Sequence, residues 1–290
     1  MKIISISKKS FEKLHELELP PEVFNNEAEI YDFNYRGEEK VLKVLNILNG
    51  KTFANKLYTL EMLDNYKKYL PANFYIPDYL CSIDRQICAF TIPKIEGINL
   101  ATILNSNDVD YKQQLYYLRK VGEILRQLEY IRNNTELKDI YLSDLHDSNF
   151  IIDKYSKELK VIDLDSCKIG TNDPSCARFL TPFSLLNVSN KYKINEDKNS
   201  PAYVIADENS DLYCYCIITL NYIFGKRMGN LSIDEFYEHL NYLDSVGISK
   251  KLIRILSKIV TDCENENPMD YIETLTEKQL IKARMFDKVQ

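Results

Sequence analysis

The sequence has few of the side chains that build structural zinc sites. It contains three histidines, and its seven cysteines include no C-x-x-C pair. Because structural zinc is held by closely spaced sets of cysteines and histidines, no such site is expected. An odd number of cysteines without a pairing pattern is typical of reduced thiols, so we expect a cytoplasmic protein.

The sequence also has no run of basic residues and no apolar run long enough to span a bilayer. The net charge is −6, so we expect no surface that follows nucleic-acid phosphates. Residues 1–5 lack a basic region followed by a long apolar stretch, so no signal peptide is predicted. The most apolar window, 212–225, is shorter than the about 20 residues that a membrane helix needs. It predicts a buried helix, and we expect no membrane partner.

The composition and patterning that are present predict an α+β protein. Hydrophobic residues make up 45% and charged residues 28% of the 290, which is typical of a globular chain. Apolar patterning predicts strands over 27–35 and 39–45, joined by a turn at 36–37. Helical spacing follows over 52–70, and two more short strands are predicted within 79–92.

The second half of the chain is predicted to be mainly helical. A capping pattern that begins at Asp110 precedes a long amphipathic helix, and a small hairpin is predicted over 150–162. An apolar helix over 211–224 follows. Ser232 and Glu235 form a capping box that predicts the start of a later helix.

Two acidic motifs in this half have the residue types that phosphoryl transfer needs. The first is D-L-H-D-S-N at 144–149, and the second is V-I-D at 161–163. Asp144 and Asn149 lie five apart on one predicted loop, and Asp163 follows a hydrophobic hairpin strand. Together they offer oxygen ligands for magnesium and one carboxylate to orient a hydroxyl, in a reaction that depends on positioning and charge neutralisation.

These motifs resemble the catalytic loop and metal-binding segment of the protein-kinase superfamily, in which D-L-x-x-x-N is followed by a second aspartate. The resemblance implies that the chain binds ATP and Mg²⁺. It also implies that Asp144 is the catalytic base. Asn149 would be a metal ligand, and Asp163 would be the metal-bridging carboxylate.

The resemblance further implies a bilobal protein-kinase-like fold. A small antiparallel β-sheet with one helix would form the N-lobe over 1–92. A hinge would span 93–97. A larger, mainly α-helical C-lobe, with the catalytic loop, would cover 98–290.

The predicted strand 39–45 contains a further match to the family. V-L-K-V at 41–44 resembles the V-A-I-K strand, whose lysine holds the α- and β-phosphates, so Lys43 would take that role. Glu61, 18 residues later on the predicted helix, suits the glutamate that pairs with this lysine. Asp64 is the alternative partner on the same helix.

The segment T-I-P-K-I-E-G at 91–97 resembles the hinge that binds adenine. Adenine would take hydrogen bonds from the Pro93 carbonyl and the Ile95 amide. A proline fits there because only its carbonyl is needed. Ile92 would lie behind the adenine, and Glu96 would either contact the ribose or remain solvated.

The segment N-S-D-L-Y at 209–213 resembles a helix start of eukaryotic-type kinases. The resemblance implies that Asp211 ties down the backbone of the catalytic loop. As an alternative, Ser210 or Asp211 would simply cap the helix. Residues 179–182 faintly resemble the family's substrate platform, and a polar stretch follows at 187–200.

Several positions depart from the family pattern. No glycine-rich phosphate loop occurs where it would fall, around 19–28, so the grip on the nucleotide phosphates must be weaker or differently built. Leu142 and Ser143 replace the His-Arg pair before the catalytic aspartate. His146 is typical of small-molecule kinases such as the aminoglycoside and choline phosphotransferases. Asp165 occupies the glycine position of D-F-G, where it would either add a metal ligand or point away.

Three functions follow from these features. The leading interpretation is a divergent, bacterial-type serine/threonine protein kinase that transfers the γ-phosphoryl group of ATP to a protein hydroxyl. The alternative is a small-molecule kinase that acts on an alcohol or aminosugar. The third is a pseudokinase scaffold, which the missing phosphate loop favours and the complete set of polar residues disfavours.

Overall fold

The computed structural model describes residues 1–18, 27–171, 206–228, 231–262 and 267–286. The chain is an α+β protein that divides into two compact units. The first contains Met1–Asn99, Ile131–Ile140 and Ser148–Pro174, and the second contains Leu100–Tyr130, Tyr141–Asp147 and Ser175–Gln290. The predicted substrate platform at 179–182, the polar stretch at 187–200 and most of the phosphate-loop position lie outside the described residues.

The first unit is built around a five-stranded mixed sheet with the order β1-β4-β5-β3-β2. Its strands are β1 (Lys2–Ile6), β2 (Ala28–Tyr35), β3 (Glu38–Leu45), β4 (Tyr79–Ile83) and β5 (Gln86–Pro93). All neighbours are antiparallel except β1 and β4, which run parallel.

The prediction of a wholly antiparallel sheet was therefore wrong at its first strand. In β1, Ile4 and Ile6 are buried and pack in a cluster with Leu42 and Cys81. This strand lies beside β4, whose sequence is more than 70 residues away. Local patterning at 1–6 does not indicate such a distant neighbour.

The β2–β3 hairpin confirms the predicted strands and turn. Arg36 and Gly37 have φ values of 56° and 87°, as a tight two-residue hairpin turn requires. The side chain of Asn34 accepts a hydrogen bond from the Gly37 amide at 3.1 Å. The turn fixes the register, and Lys43 faces Ile30 on one side and Phe90 on the other.

Short elements and one longer helix complete the first unit. The helices are α1 (Lys8–Phe11) and α2 (Gly50–Tyr66), and the strands are β6 (Gly97–Asn99), β8 (Phe150–Asp153), β9 (Leu159–Val161) and β10 (Lys168–Ile169), with β7 (Ile140–Tyr141) at its border. Strands β6, β8 and β9 form an antiparallel sheet, which confirms the predicted hairpin.

The β8–β9 hairpin is tied to the segment before β4. Val161 donates its amide to the Asn73 carbonyl at 2.8 Å and accepts a hydrogen bond from the Tyr75 amide at 2.9 Å. These contacts place the hairpin in the same compact unit as the large sheet. The first compact unit therefore includes segments that follow residue 98.

The second unit is helical in the part that the structure describes. Its helices are α3 (Leu100–Asn105), α4 (Tyr111–Asn134, whose last turn belongs to the first unit), α5 (Glu208–Phe224), α6 (Ile233–Ser245), α7 (Lys250–Asp262), α8 (Met269–Ile272) and α9 (Glu277–Ala283).

Capping contacts explain where two of these helices begin. Asp110 accepts a hydrogen bond from the Gln113 amide at 2.7 Å, as predicted for α4. The box of Ser232 and Glu235 at the start of α6 is also confirmed, with contacts of 3.2 and 2.7 Å. Among the described helices, none is both long and apolar enough to cross a membrane.

Candidate functional site

Lys43 lies on β3, an interior strand of the large sheet, and is buried. Its ammonium group makes close contact with the Asp163 carboxylate and lies 2.9 Å from Oδ1 of Asp165. Burial by itself disfavours a charged lysine, but the two carboxylates outweigh it and raise the pKa of Lys43. Lys43 is therefore a fixed cation whose partners come from the segment after β9.

Asp163 follows β9 in a left-handed conformation, with φ 64° and ψ 36°. The amide of Ile162 donates to the Asn149 carbonyl at 3.0 Å, so Asn149 and Asp163 lie at the same end of the β8–β9 hairpin. Burial and the nearby Asp165 raise the pKa of Asp163 and outweigh the opposite effect of Lys43. The structure thus brings the two predicted metal ligands to one end of one hairpin.

Asn149 and Asp163 carry side-chain oxygens of the kind that Mg²⁺ prefers as ligands. The Asp163 side chain is 31% exposed, so an ion from solvent can reach it. In the described part of the chain, no group of three or more histidines, cysteines or carboxylates is arranged as a metal site. Mg²⁺ commonly takes one or two protein oxygens, with phosphates and water completing its shell, and Asn149 with Asp163 suits that mode.

Asp165 differs from Asp163 in being fully enclosed, with a side-chain exposure of 0%. Its Oδ1 lies 2.9 Å from Lys43 and its Oδ2 lies 2.8 Å from Lys56. Burial alone raises the pKa of a carboxyl, but the two ammonium groups outweigh it and lower the pKa of Asp165. The carboxylate of Asp165 is therefore directed at two buried lysines.

Glu61 does not pair with Lys43, so this prediction was wrong. Glu61 is exposed on α2, and the ion pairs of Lys43 are with Asp163 and Asp165. The alternative, Asp64, lies 3.0 Å from the amino group of Met1 instead. Glu61 does not reach Lys43 because α2 buries a different face.

The buried face of α2 contains Lys56, Thr59, Leu60 and Leu63. Lys56 lies four residues before Leu60 and seven before Leu63, which places all three on one side of a helix. Glu61 lies about 140° from Lys56 at 100° per residue. A helix that buries Lys56 therefore exposes Glu61.

Lys56 is the member of this buried charge cluster that the sequence did not predict. Its ammonium group lies 2.8 Å from Asp165, 2.8 Å from Glu27 and 3.3 Å from the Ser166 hydroxyl. Burial disfavours its charge, but Asp165 and Glu27 outweigh burial and the repulsion of Lys43, and its pKa is raised. The sequence signal that could have indicated a buried Lys56 is its position in line with the apolar residues of α2.

Asp144 and His146 lie in the second unit and are both partly exposed. Nε2 of His146 is 3.9 Å from Oδ2 of Asp144, which is too long for a hydrogen bond but close enough for a charge interaction when the imidazole is protonated. The Asp144 amide donates to the Leu142 carbonyl at 2.7 Å. Asp144, the predicted base, and His146 are therefore neighbours on this loop.

The loop before Asp144 is held by Asp211, which is buried. Its two carboxylate oxygens accept hydrogen bonds from the amides of Leu142 and Ser143 at 2.9 and 3.0 Å. The predicted contact of Asp211 with this backbone is confirmed. Asp211 does not cap α5: the N-cap is Asp207, which accepts a hydrogen bond from the Ser210 amide. Ser210 completes the capping box, because its hydroxyl accepts a hydrogen bond from the Asp207 amide at 3.0 Å.

The predicted adenine-binding segment forms the end of β5 and the turn that follows it. Ile92 packs beside the cluster of Leu60 and Phe90, while Pro93 and Ile95 are half-buried. Glu96 is exposed, and its carboxylate accepts hydrogen bonds from Lys154 at 3.1 Å and the Tyr155 hydroxyl at 3.0 Å.

The described residues thus contain two organised clusters. The first unit contains the buried ion pairs around Lys43 and Asp165, with Asn149 at the end of the hairpin. The second contains Asp144 and His146 on a loop that Asp211 holds. No family model matches the chain, and no curated protein matches it in sequence.

Proposed function

We propose that this chain is an ATP- and Mg²⁺-dependent phosphotransferase with a protein-kinase-like fold. The proposal rests above all on the contact between Lys43 and Asp163. These residues are 120 positions apart, yet a buried strand lysine meets the very aspartate that the motif pattern assigns to the metal. Phosphoryl transfer needs a fixed cation for the phosphates beside a carboxylate for magnesium.

The contacts of Asp211 support the same proposal from a separate part of the chain. A loop that positions a catalytic carboxylate must be rigid, because small displacements at the reacting atoms are costly. Asp211 supplies that rigidity for residues 142 and 143 through two hydrogen bonds. This contact belongs to the N-S-D-L-Y segment, which resembles eukaryotic-type kinases.

The proposed mechanism assigns one task to each side chain. Lys43 binds the α- and β-phosphates, and Asn149 with Asp163 would hold magnesium. When bound, this ion neutralises charge on the phosphates. Asp144 orients the acceptor hydroxyl and takes up its proton as the hydroxyl oxygen bonds to the γ-phosphorus in line. The bond between the γ-phosphorus and the β–γ bridging oxygen breaks, and ADP leaves.

The leading acceptor is a serine or threonine hydroxyl of a protein. This choice is supported by the eukaryotic-type contact of Asp211. Asp165 is enclosed between two lysines and does not supply a free carboxylate for a cationic substrate. His146 and the missing glycine-rich loop are the features that favour an alcohol or aminosugar acceptor.

The experiment is transfer from γ-labelled ATP with Mg²⁺ by the purified chain and its Asp163→Ala variant. Each is tested alone, with generic protein acceptors, and with a protein-free metabolite extract. We expect label on protein that disappears in the variant. Label on metabolites alone would establish the small-molecule kinase. No transfer from a folded chain in any arm would contradict the proposal and favour the pseudokinase scaffold.

A further inference from the structure

We infer that Asp165, with Lys56 as its second counterion, is the positioning residue that holds Lys43 in place for the nucleotide phosphates. This inference deepens the proposed function and rests on it, because it concerns the lysine assigned there to the phosphates. It gives Asp165 the task that the sequence assigned to Glu61. The ion pairs within the first unit provide the evidence.

Asp165 uses a separate oxygen for each lysine. Oδ1 lies 2.9 Å from Lys43 and Oδ2 lies 2.8 Å from Lys56. Because both oxygens are engaged, the plane of the carboxylate is fixed, and the ammonium group of Lys43 is fixed with it. A single ion pair would leave the carboxylate free to rotate about its last bond.

The backbone around Asp165 is also tightly held. Asp163 has a left-handed conformation, and the next three residues, Leu164–Ser166, form one turn of 3₁₀ helix. The Cys167 amide closes that turn on the Leu164 carbonyl at 3.1 Å. Two carboxylates two residues apart are thereby presented to the same lysine.

The charges explain why α2 contributes a lysine here. Lys43 facing Asp163 and Asp165 alone would leave one uncompensated negative charge among buried groups, and buried charges need partners. Lys56 supplies the second positive charge. A glutamate at position 56 would instead add a carboxylate beside Asp165 and Glu27. The lysine on α2 and the aspartate at 165 are therefore complementary.

The two aspartates are suited to different tasks. The Asp163 side chain is 31% exposed, whereas that of Asp165 is 0% exposed. Asp163 can therefore engage a metal ion, while Asp165 continues to hold Lys43. Glu27, which lies 2.8 Å from Lys56, holds the other side of that lysine.

The test measures binding of Mg-ADP by calorimetry, without any need for turnover. The variants are Asp165→Asn and Lys56→Met, with Glu61→Gln as the matched control on the exposed face of α2. We expect Asp165→Asn and Lys56→Met to weaken binding by about 10- to 100-fold, as is usual for residues that orient a ligand-contacting group. Glu61→Gln should bind as the wild type does, and Lys56→Arg should recover most of the affinity lost in Lys56→Met.

A mutant cycle separates positioning from a general structural effect. If Asp165 acts through Lys43, the double variant Lys43→Met/Asp165→Asn should bind no more weakly than Lys43→Met alone. Additive losses would overturn the inference. Because removing one partner of a buried pair can unfold a chain, the charge-balanced variant Asp165→Asn/Lys56→Met is measured too, with circular dichroism as the folding check. It should be folded and should bind as weakly as Asp165→Asn.

The outcomes distinguish this inference from the proposed function. A folded wild-type chain that does not bind Mg-ADP would overturn both. If the wild type binds, and Glu61→Gln weakens binding while the charge-balanced variant does not, the inference alone is overturned. Binding that depends on Asp165 and Lys56 but not on Glu61 would establish it.

Discussion

Asp211 accepts a hydrogen bond from the backbone amide of Ser143 at 3.0 Å, across 68 positions of sequence. Ser143 has φ 65°, a left-handed conformation that is uncommon for a residue with a β-carbon. The other oxygen of Asp211 binds the Leu142 amide at 2.9 Å. The carboxylate therefore holds two consecutive amides of the loop that leads to Asp144.

Replacement of Asp211 by alanine should destabilise the chain. Two buried amides would lose their acceptor, and each unsatisfied group costs about 1–3 kcal/mol, so we expect a loss of about 2–6 kcal/mol. Urea denaturation measures this change. The control is Asp244→Ala, because Asp244 forms an exposed ion pair with Lys250 at 3.4 Å and such pairs contribute little. Equal losses in the two variants would contradict the role of Asp211.

Asp144→Asn should abolish phosphoryl transfer and leave nucleotide binding intact. The side chain is partly exposed and lies beside His146, so an amide of the same size fits the site. It does not accept the proton of the acceptor hydroxyl as a carboxylate does. Parallel measurements of label transfer and of Mg-ADP affinity check both parts. Full transfer by this variant would show that Asp144 is not the base.

Glu27 should contribute stability that depends on pH. Burial raises the pKa of its carboxyl, but Lys56 outweighs that effect, so the pKa lies below its ordinary value of 4.5. A carboxyl with a lowered pKa in the folded state stabilises the chain above the unfolded-state pKa, and this contribution is lost as the pH falls.

The comparison is between the wild type and Glu27→Gln, unfolded by urea at several pH values. We expect the difference in unfolding free energy to be constant near neutral pH and to shrink as the pH falls below 4.5. A difference that grows in acid would mean that Lys56 does not stabilise the Glu27 carboxylate.

Cys81 should resist alkylation in the folded protein. The residue is fully buried, and burial, aided by the charges of Asp78 and Cys88, raises the pKa of its thiol to about 12. At pH 8 only about one thiol in ten thousand is then a thiolate, which is the reactive form. Iodoacetamide followed by peptide mass spectrometry should find Cys81 unmodified in the native chain and modified in guanidinium. Rapid labelling of the native protein would contradict its burial.

Local sequence signals predicted the elements that depend on near neighbours. The Arg36-Gly37 turn, the start of α4 at Asp110 and the start of α6 at Ser232 were all predictable, because each depends on contacts within a few residues. The start of α5 was missed by a few positions. Suitable capping side chains occur at three positions, 207, 210 and 211. The Asp211 carboxylate binds the distant amides of Leu142 and Ser143, and Asp207 caps the helix.

The ion-pair partners of Lys43 depend on residues that are distant in sequence. The sequence by itself determined that α2 contains both Lys56 and Glu61 and that Asp163 and Asp165 follow a strand. Only the tertiary structure decided that Lys56 faces inward. The side of α2 that contains Leu60 and Leu63 packs in the core, and Lys56 lies on that side. Glu61 lies about 140° around the helix from Lys56. Hydrophobic packing decides which face of a helix is buried, and the charged residues on that face must then find ion-pair partners, because an unpaired buried charge is costly.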